Sequence, residues 1–324
     1  MEAIRPLLEV AGLSRHYRVA RGLFRRPVTV HALEDVSFTL DQGRTLAIVG
    51  ESGCGKSTLA RQVTMIERPS AGSVKFDGID VAHADRESLR RLRPSVQMVF
   101  QNPYASLNPR KQVMTLLQEP LVIAGAMTAA QRGEAAEAML DEVGLLSEHA
   151  RRYPHMFSGG QRQRIAIARA LMTKPRLLVA DEPVSALDVS IQAQVLNLLM
   201  DLQQRRGVAY LFISHNLDVV RHIADTVAVM YLGRVVEIAS RAVLFAAPAH
   251  PYTRALFAST PRLDAKRVPS RQVRGELPSP VAPPSGCAFH TRCPYAIERC
   301  RVELPALAPF RDARVACHRV AELA

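Results

Sequence analysis

Residues 50–57 read Gly-Glu-Ser-Gly-Cys-Gly-Lys-Ser and fit the pattern G-x-x-x-x-G-K-[ST]. The apolar run at residues 45–49 precedes this stretch and predicts a buried strand, and residues 58–66 predict the helix that follows. A strand, a glycine-rich loop and a helix in this order point several backbone amides at one anion, beside the positive end of the helix. The stretch therefore predicts a phosphate-binding site in an α/β fold.

Two side chains of this stretch, and two acids further on, carry chemistry beyond the backbone. Lys56 can reach the β- and γ-phosphates of a nucleotide, and the Ser57 hydroxyl can ligate Mg²⁺. Residues 177–182 read Leu-Leu-Val-Ala-Asp-Glu, an apolar strand that ends in two acids. Asp181 suits Mg²⁺, which prefers oxygen ligands, and Glu182 suits a general base that polarises water. Together these residues predict hydrolysis of a nucleoside triphosphate.

A second anion site is predicted at residues 158–161, Ser-Gly-Gly-Gln. Ser158 is a natural N-cap for the helix predicted after it. Gly159 and Gly160 leave their amides open to an approaching anion at the N-terminus of that helix. An ordinary capped helix is the alternative, because Ser-Gly pairs are frequent.

Composition and charge favour an ordinary globular protein. The 324 residues are 48% hydrophobic and 22% charged, as is common for such proteins. No apolar stretch approaches the ~18 residues that cross a bilayer, and residues 1–9 do not resemble a signal peptide, so we expect a cytoplasmic protein. The net charge of +12 is scattered, and we expect no nucleic-acid partner. The one compact basic stretch near the start, residues 21–26, is interpreted as a solvated loop.

Short apolar runs alternate with helical patterns over residues 1–240. Strands are predicted at residues 28–40, 45–49, 96–100, 176–180, 209–213 and 226–230, helices at 128–143, 159–172 and 189–205, and a hairpin at 231–238. This alternation predicts an α/β core with a mainly parallel sheet. Composition changes near residue 240, since 11 of the 21 prolines and four of the five cysteines lie beyond it. We therefore predict one domain over residues 1–240 and a small, loop-rich extension over 241–324.

The extension carries four cysteines that predict a metal site. They are Cys287, Cys293, Cys300 and Cys317, with five, six and 16 residues between them. Cytosolic chains rarely hold disulfides, whereas four thiolates can bind a metal that orders a poor core. The gaps are wider than is usual for structural zinc and allow a [4Fe–4S] cluster, although zinc and unligated thiols remain alternatives. His290 and His318 are spare candidate ligands.

Taken together, the motifs resemble those of ATP-binding cassette subunits. In chain order they are the phosphate-binding loop, Gln101 after a strand, Ser-Gly-Gly-Gln at 158–161, the strand that ends in Asp-Glu, Asp188, and Ile-Ser-His at 213–215. The resemblance spans roughly residues 5–240 and implies a P-loop nucleotide-binding domain with a mostly parallel core sheet, an antiparallel β subdomain and a helical subdomain. Two positions depart from the family pattern, with Phe157 where Leu is usual and Asn216 where an acid is common.

The resemblance also implies roles for individual residues. Tyr17 would stack on adenine, and Gln101 would sense Mg²⁺ and the attacking water. The catalytic residues would be Lys56, Glu182 and His215, and Mg²⁺ would be held by Ser57, Gln101 and Asp181. Further ATP contacts would come from Gly50, Glu51, Ser52, Gly53, Cys54, Gly55 and Thr58. The residues facing ATP on a partner cassette would be Ser158, Gly159, Gly160, Gln161 and Asp188.

Three longer stretches make the resemblance closer. Residues 100–111, 152–158 and 250–256 resemble the peptide and nickel importer branch, and within it the F-type ATP-binding subunits of dipeptide importers. Residues 274–280 and the cysteines after them extend it to nearly the whole chain. It implies a [4Fe–4S] cluster, and a peripheral subunit on the cytoplasmic face of the inner membrane that powers peptide uptake. The implied partners are a second cassette subunit in a heterodimer, two membrane permease subunits and, indirectly, a periplasmic or extracellular peptide-binding protein.

Two other functions remain open at the level of sequence. One is import of another solute, such as nickel or longer peptides. The other is a non-transport cassette ATPase that acts on nucleic acid, which the basic net charge allows.

Overall fold

The computed structural model describes residues 5–20, 27–102, 106–125, 127–259 and 275–323. The basic stretch at 21–26 lies outside the described residues, as do residues 103–105 and 274 of the stretches that carry the resemblance. The described strands are β1 Leu8–Val19, β2 Val28–Leu40, β3 Thr45–Val49, β4 Ala71–Phe76, β5 Ile79–Asp80, β6 Val96–Val99, β7 Leu177–Asp181, β8 Ala209–Ile213, β9 Thr226–Tyr231, β10 Arg234–Ser240, β11 Ala308–Phe310 and β12 Ala313–Val315.

The described helices lie between and after these strands. They are α1 Lys56–Val63, α2 Arg86–Leu92, α3 Val113–Ala124, α4 Ala129–Glu142, α5 Gly159–Leu171, α6 Val189–Arg206, α7 Leu217–Ile223, α8 Arg241–Ala246, α9 Pro251–Ala258, α10 Glu298–Val302 and α11 Val320–Leu323. Short 3₁₀ turns span Arg93–Ser95, Ser147–Arg151 and Pro154–Met156.

Eight of the described strands form the main sheet, in the order β11-β12-β10-β9-β3-β8-β7-β6. The five strands from β9 to β6 pair in parallel, and β10, β11 and β12 continue the sheet with antiparallel pairing. Every residue of β3, β7 and β8 is buried, which is why these strands appear in the sequence as unbroken apolar runs. The predicted mainly parallel α/β core is confirmed.

A second, antiparallel sheet and a helical layer complete the architecture. The second sheet has the order β2-β1-β4-β5 and encloses a core with one face of the main sheet. Helices α3 to α6 bury a separate core against the opposite face of β7 and β8. These two units correspond to the antiparallel β subdomain and the helical subdomain that the resemblance implies.

Most predicted elements are found within two residues of their expected ends, and the helix after the phosphate-binding loop differs most. It was expected at residues 58–66 but begins at Lys56 and ends at Val63. It ends early because Met65 has a left-handed backbone, with φ 59°, which an α-helix of L-residues cannot continue. The early start places Lys56 and Ser57 in the first helical turn.

The extension is joined to the core sheet by backbone pairing. Strand β12 pairs with β10, and residues 237–239 lie opposite residues 313–315. Phe289 is buried with the core residues of β9 and β10. Val315 of β12 is only 2% exposed. The segment after residue 240 therefore supplies two strands of the main sheet as well as loops, while the boundary near residue 240 stays a prediction.

Gly55 sets the start of α1, and the surrounding backbone leaves no room for a side chain at this position. Its φ is 103°, and a Cβ built there would lie 2.3 Å from the carbonyl oxygen of Ala32 on β2. Real Cβ atoms do not approach backbone oxygen so closely, so the loop or β2 would have to move.

A comparison of two glycine substitutions tests this packing. Gly207 also has a positive φ, 64°, but a Cβ there would meet no atom within 4 Å. We expect Gly207→Ala to cost about 1–2 kcal/mol of unfolding free energy from backbone strain alone, and Gly55→Ala to cost more because it adds the clash. Denaturant unfolding of both variants measures the difference; equal losses would contradict the close approach to Ala32.

Candidate nucleotide-binding and hydrolysis site

The phosphate-binding loop connects β3 to α1 and curls around the amino group of Lys56. This side chain is only 7% exposed, and its Nζ donates hydrogen bonds to the carbonyl oxygens of Gly50 (2.8 Å) and Glu51 (3.0 Å). Gly50 is required here, because a Cβ would lie 2.2 Å from the carbonyl oxygen of Met230. The loop thus holds a buried positive charge beside the N-terminus of α1, which suits a polyphosphate.

Asp181 ends β7 next to this charge and contacts Ser57. It is 9% exposed, and burial raises the pKa of its carboxyl group, although the side-chain hydrogen bond with Ser57 and the charge of Lys56 act in the opposite direction. A buried carboxylate beside a hydroxyl offers the hard oxygen ligands that Mg²⁺ prefers. These residues therefore fit the magnesium site that the sequence predicts.

Glu182 is held from both sides by the two other predicted polar residues. Its Oε2 accepts a hydrogen bond from Gln101 Nε2 (2.9 Å), and its Oε1 lies 3.0 Å from His215 Nδ1. The backbone of Glu182 has φ 49°, and its N–H donates to the carbonyl oxygen of Ile213. These contacts fix the carboxylate at the carboxyl edge of the parallel sheet, where open α/β sheets bind ligands.

The predicted partner-facing residues lie at the N-termini of α5 and α6, where Ser158 and Asp188 are exposed. Gly159 and Gln161 are partly exposed, and Gly160 is buried against Ile191. Ser158 caps α5 in a reciprocal capping box with Gln161: the Gln161 N–H donates to Ser158 Oγ (3.3 Å), and the Ser158 N–H donates to Gln161 Oε1 (3.1 Å). Asp188 precedes α6, and the next residue, Val189, is 82% exposed. The open end of α5 is thus available to an anion that another molecule brings.

Tyr17 lies on β1 and is already engaged within the chain. Its hydroxyl donates to Glu67 Oε2 (2.5 Å), and the Arg15 guanidinium lies 4.6 Å from the centre of its ring. One face of the ring is therefore covered by Arg15, and adenine would use the other. Stacking on adenine stays a prediction.

The four cysteines of the extension line one small cavity. His250, Phe289 and His290 are also in its wall. Burial raises the pKa of Cys287 to about 11 and also raises the pKa of Cys293 and Cys317. Buried thiols with raised pKa values hold their protons unless a cation replaces them.

One triad of potential metal ligands was not anticipated from the sequence. Among the described residues, His16, His31 and Glu34 form a group of three with all ligand atoms within 4.8 Å of one another, and no three of the cysteine sulfurs lie that close together. His16 Nε2 and His31 Nδ1 lie 2.7 and 2.5 Å from the same oxygen of Glu34, and Arg234 lies 3.8 Å from the other. The carboxylate is thus satisfied by its own neighbours, and no metal is assigned to it.

The structure also shows contacts from the extension to the phosphate-binding loop that the sequence did not reveal. The Glu51 N–H donates to the Tyr252 hydroxyl oxygen, and Arg292 forms an ion pair with the Glu51 carboxylate. These partners are separated from Glu51 by 201 and 241 residues, so no local pattern could have linked them.

In the part of the chain that the structure describes, no helix combines the length and the apolarity that crossing a membrane requires.

Comparison with known proteins identifies two family models along the chain. The ABC transporter model matches residues 33–185. The model for the C-terminal region of oligopeptide/dipeptide transporters matches residues 236–300.

Full-length relatives agree with these matches. The di/tripeptide transport ATP-binding protein DppF of Pseudomonas aeruginosa is 58% identical over 313 residues, which are 96% of this chain and 97% of that protein. The dipeptide transport ATP-binding protein DppF of Escherichia coli is 54% identical over 97% of this chain and 95% of its own length.

A solved structure shares the fold of the core. The ATP-binding cassette MJ0796, in a dimeric post-hydrolysis state bound to ADP and Pi, is 27% identical, with a TM-score of 0.64 over 72% of this chain and 98% of its own. With these matches and a phosphate-binding loop beside Asp181 and Glu182, the chain belongs to the ATP-binding cassette family of transporter ATPases.

Proposed function

We propose that this chain is the ATP-hydrolysing subunit of an importer of dipeptides and other short peptides. Hydrolysis rests on one observation: Glu182 is held between Gln101 and His215, directly after Asp181, which contacts Ser57 of the phosphate-binding loop. Peptide uptake rests on the relatives named for di/tripeptide and dipeptide transport and on the matching C-terminal region.

Lys56 and the amides of the loop are proposed to bind the triphosphate. In the described conformation the ammonium group is satisfied by two loop carbonyls. A bound β- or γ-phosphate would give it a charged acceptor in a buried setting, which strengthens the interaction. Phosphoryl transfer depends mainly on such positioning and charge stabilisation.

Mg²⁺ is proposed to be held by Ser57, Asp181 and Gln101. When bound, it neutralises part of the triphosphate charge. A cation there would also relieve the cost of burying the Asp181 carboxylate, which raises the pKa of that group in its absence.

Glu182 is the proposed general base. Its two oxygens are oriented by Gln101 and His215, so a water on the carboxylate would meet a group whose direction is already fixed. His215 is 59% exposed and can turn toward the γ-phosphate while Gln101 keeps the carboxylate in place.

A second cassette subunit is proposed to complete each nucleotide site. The exposed capped end of α5 and the exposed residues around Asp188 support this proposal, as does the dimeric state of the cassette MJ0796. We further propose a heterodimer that acts on two membrane permease subunits, with a periplasmic or extracellular peptide-binding protein delivering the solute. The subunit would bind peripherally at the cytoplasmic face of the inner membrane.

The four-cysteine cavity is proposed to hold a [4Fe–4S] cluster, with zinc as the alternative. One cavity lined by all four thiols supports a shared ligand. Four sulfurs around zinc at ~2.3 Å would lie about 3.8 Å apart, whereas no three of the described cysteine sulfurs lie within 4.8 Å of one another. This spacing argues against zinc in the described arrangement, and the support for the cluster is the one cavity that all four thiols line.

Replacing Glu182 with Gln tests the proposed base. The amide keeps the size of the side chain but cannot accept a proton, so we expect ATP binding to persist and ATPase turnover of the assembled transporter to fall by about 10²–10⁴-fold. Uptake of a labelled dipeptide should fall with it, and Glu298→Gln, at an exposed acid, should change neither. Full turnover by the Glu182 variant would remove this assignment.

Two substitutions at Ser158 test the shared nucleotide site. Both Asp and Asn can cap α5, but only Asp adds a negative charge where a partner's γ-phosphate would lie. We expect Ser158→Asp to lower ATPase activity of the assembled transporter about tenfold or more relative to Ser158→Asn, while ATP affinity of the isolated chain stays unchanged. Equal activity of the two variants would argue against a partner nucleotide at this surface.

Metal analysis of the anaerobically purified chain tests the cysteine site. We expect iron and inorganic sulfide in equal amounts, close to four of each per chain, and loss of both in Cys300→Ser. Cys54→Ser, which alters the buried cysteine of the phosphate-binding loop, should retain them. Zinc in place of iron would support the alternative ligand, and absence of both metals would leave unligated thiols.

A further inference from the structure

Two residues of the cysteine-rich extension contact Glu51 of the phosphate-binding loop. Arg292 Nη1 lies 2.9 Å from Glu51 Oε2, and the Glu51 N–H donates to the hydroxyl oxygen of Tyr252 at 3.0 Å. The Arg292 side chain is 7% exposed, and that of Glu51 is 26% exposed. Such a partly desolvated ion pair constrains its members more than a pair in open solvent does.

Glu51 in turn contacts the groups that would bind phosphate. Its carbonyl oxygen accepts a hydrogen bond from Lys56 Nζ (3.0 Å) and another from the Cys54 N–H (3.3 Å). A shift of Glu51 would therefore move both the ammonium group and part of the loop backbone. In physical terms, Arg292 and Tyr252 act on the phosphate site through Glu51.

The other end of this connection is the four-cysteine cavity. Phe289 lies between Cys287 and Cys293 in the chain, lines the cavity and is 2% exposed. Its ring packs on the rings of Tyr252 and Tyr231, with centres 5.4 and 5.3 Å apart. Packed aromatic rings have few alternative arrangements, so a change in the cavity is passed on to Tyr252.

Arg292 provides a second, shorter connection. It directly precedes Cys293, and its N–H donates to the carbonyl oxygen of Phe289 (3.0 Å). Its guanidinium lies 5.8 Å from the centre of the Tyr231 ring and 3.4 Å from the Tyr231 hydroxyl oxygen. The residue that binds Glu51 is thus fixed by the backbone turn that presents Cys293.

We propose that Arg292 and Tyr252 are positioning residues for the phosphate-binding loop and that they couple the cysteine cavity to ATP affinity. The proposal rests on the proposed function only in taking this loop to bind ATP. A ligand that orders the cavity would hold Arg292 and Tyr252 against Glu51 and so strengthen ATP binding. Because such coupling is reciprocal, ATP would in turn favour the ordered cavity.

The first test measures the affinity of the full-length chain for a fluorescent ATP analogue with Mg²⁺. We expect Arg292→Gln to weaken binding about tenfold, within the usual range of such coupling, and Tyr252→Phe to weaken it as well. Arg299→Gln is the matched control, because Arg299 lies beside Cys300 but pairs with exposed Glu303, and it should leave affinity unchanged. Unchanged affinity in both Arg292→Gln and Tyr252→Phe would overturn the proposal.

The second test asks whether the cavity acts through Arg292. We expect Cys293→Ser to weaken ATP binding in the wild-type background but to add little in the Arg292→Gln background, because both changes release the same contact with Glu51. Fully additive losses would overturn the coupling. Cys317→Ser, far from Arg292 in the chain, serves as the second cysteine variant if thermal unfolding shows that Cys293→Ser does not fold.

These affinity measurements are independent of transport. A chain that shows the expected affinity changes but supports no peptide uptake would refute the proposed function and leave the coupling intact. Normal peptide uptake together with additive losses of ATP affinity would refute the coupling and leave the proposed function intact.

Discussion

Parallel pairing of buried strands is the constraint on which the candidate site depends. The registers place Ile48 opposite Ile213 and Asp181 opposite the same residue of β8. Parallel strands in such register end at one edge of the sheet. The residues that follow them are therefore brought together at that edge by the backbone pairing alone. That one arrangement accounts for the positions of the phosphate-binding loop after β3, of Asp181 and Glu182 at the end of β7, and of His215 after β8.

The charges at this edge are buried and only partly compensated within the chain. Lys56 is buried and bonded to neutral carbonyls, while Asp181 is buried with its carboxyl pKa raised by burial. Removing charges from water without full pairing costs free energy. A triphosphate would bring negative charge to Lys56, and a divalent cation would bring positive charge to Asp181. Binding would therefore recover part of that cost.

The elements that the sequence predicted best are those with a local physical signal. Unbroken apolar runs identified β3, β7 and β8, and Ser158 identified the start of α5 through its capping chemistry. The end of α1 was predicted too late because no pattern in residues 58–66 marks the left-handed backbone of Met65. The positions of Glu182, Gln101 and His215 relative to one another could be expected only from the family resemblance, since their hydrogen bonds join residues that are far apart in the chain.

The pairing of β12 with β10 determines which strand forms the edge of the main sheet. Without it, the seven residues of β10 would form an outer edge of the main sheet with unpaired backbone groups, a surface on which other chains can add strands. The extension replaces that edge with β11, which has three residues and carries Pro309, a residue without a backbone N–H. A chain cut at the end of β10 would therefore expose the unpaired backbone of that strand and be prone to self-association through strand pairing, even if it still bound nucleotide.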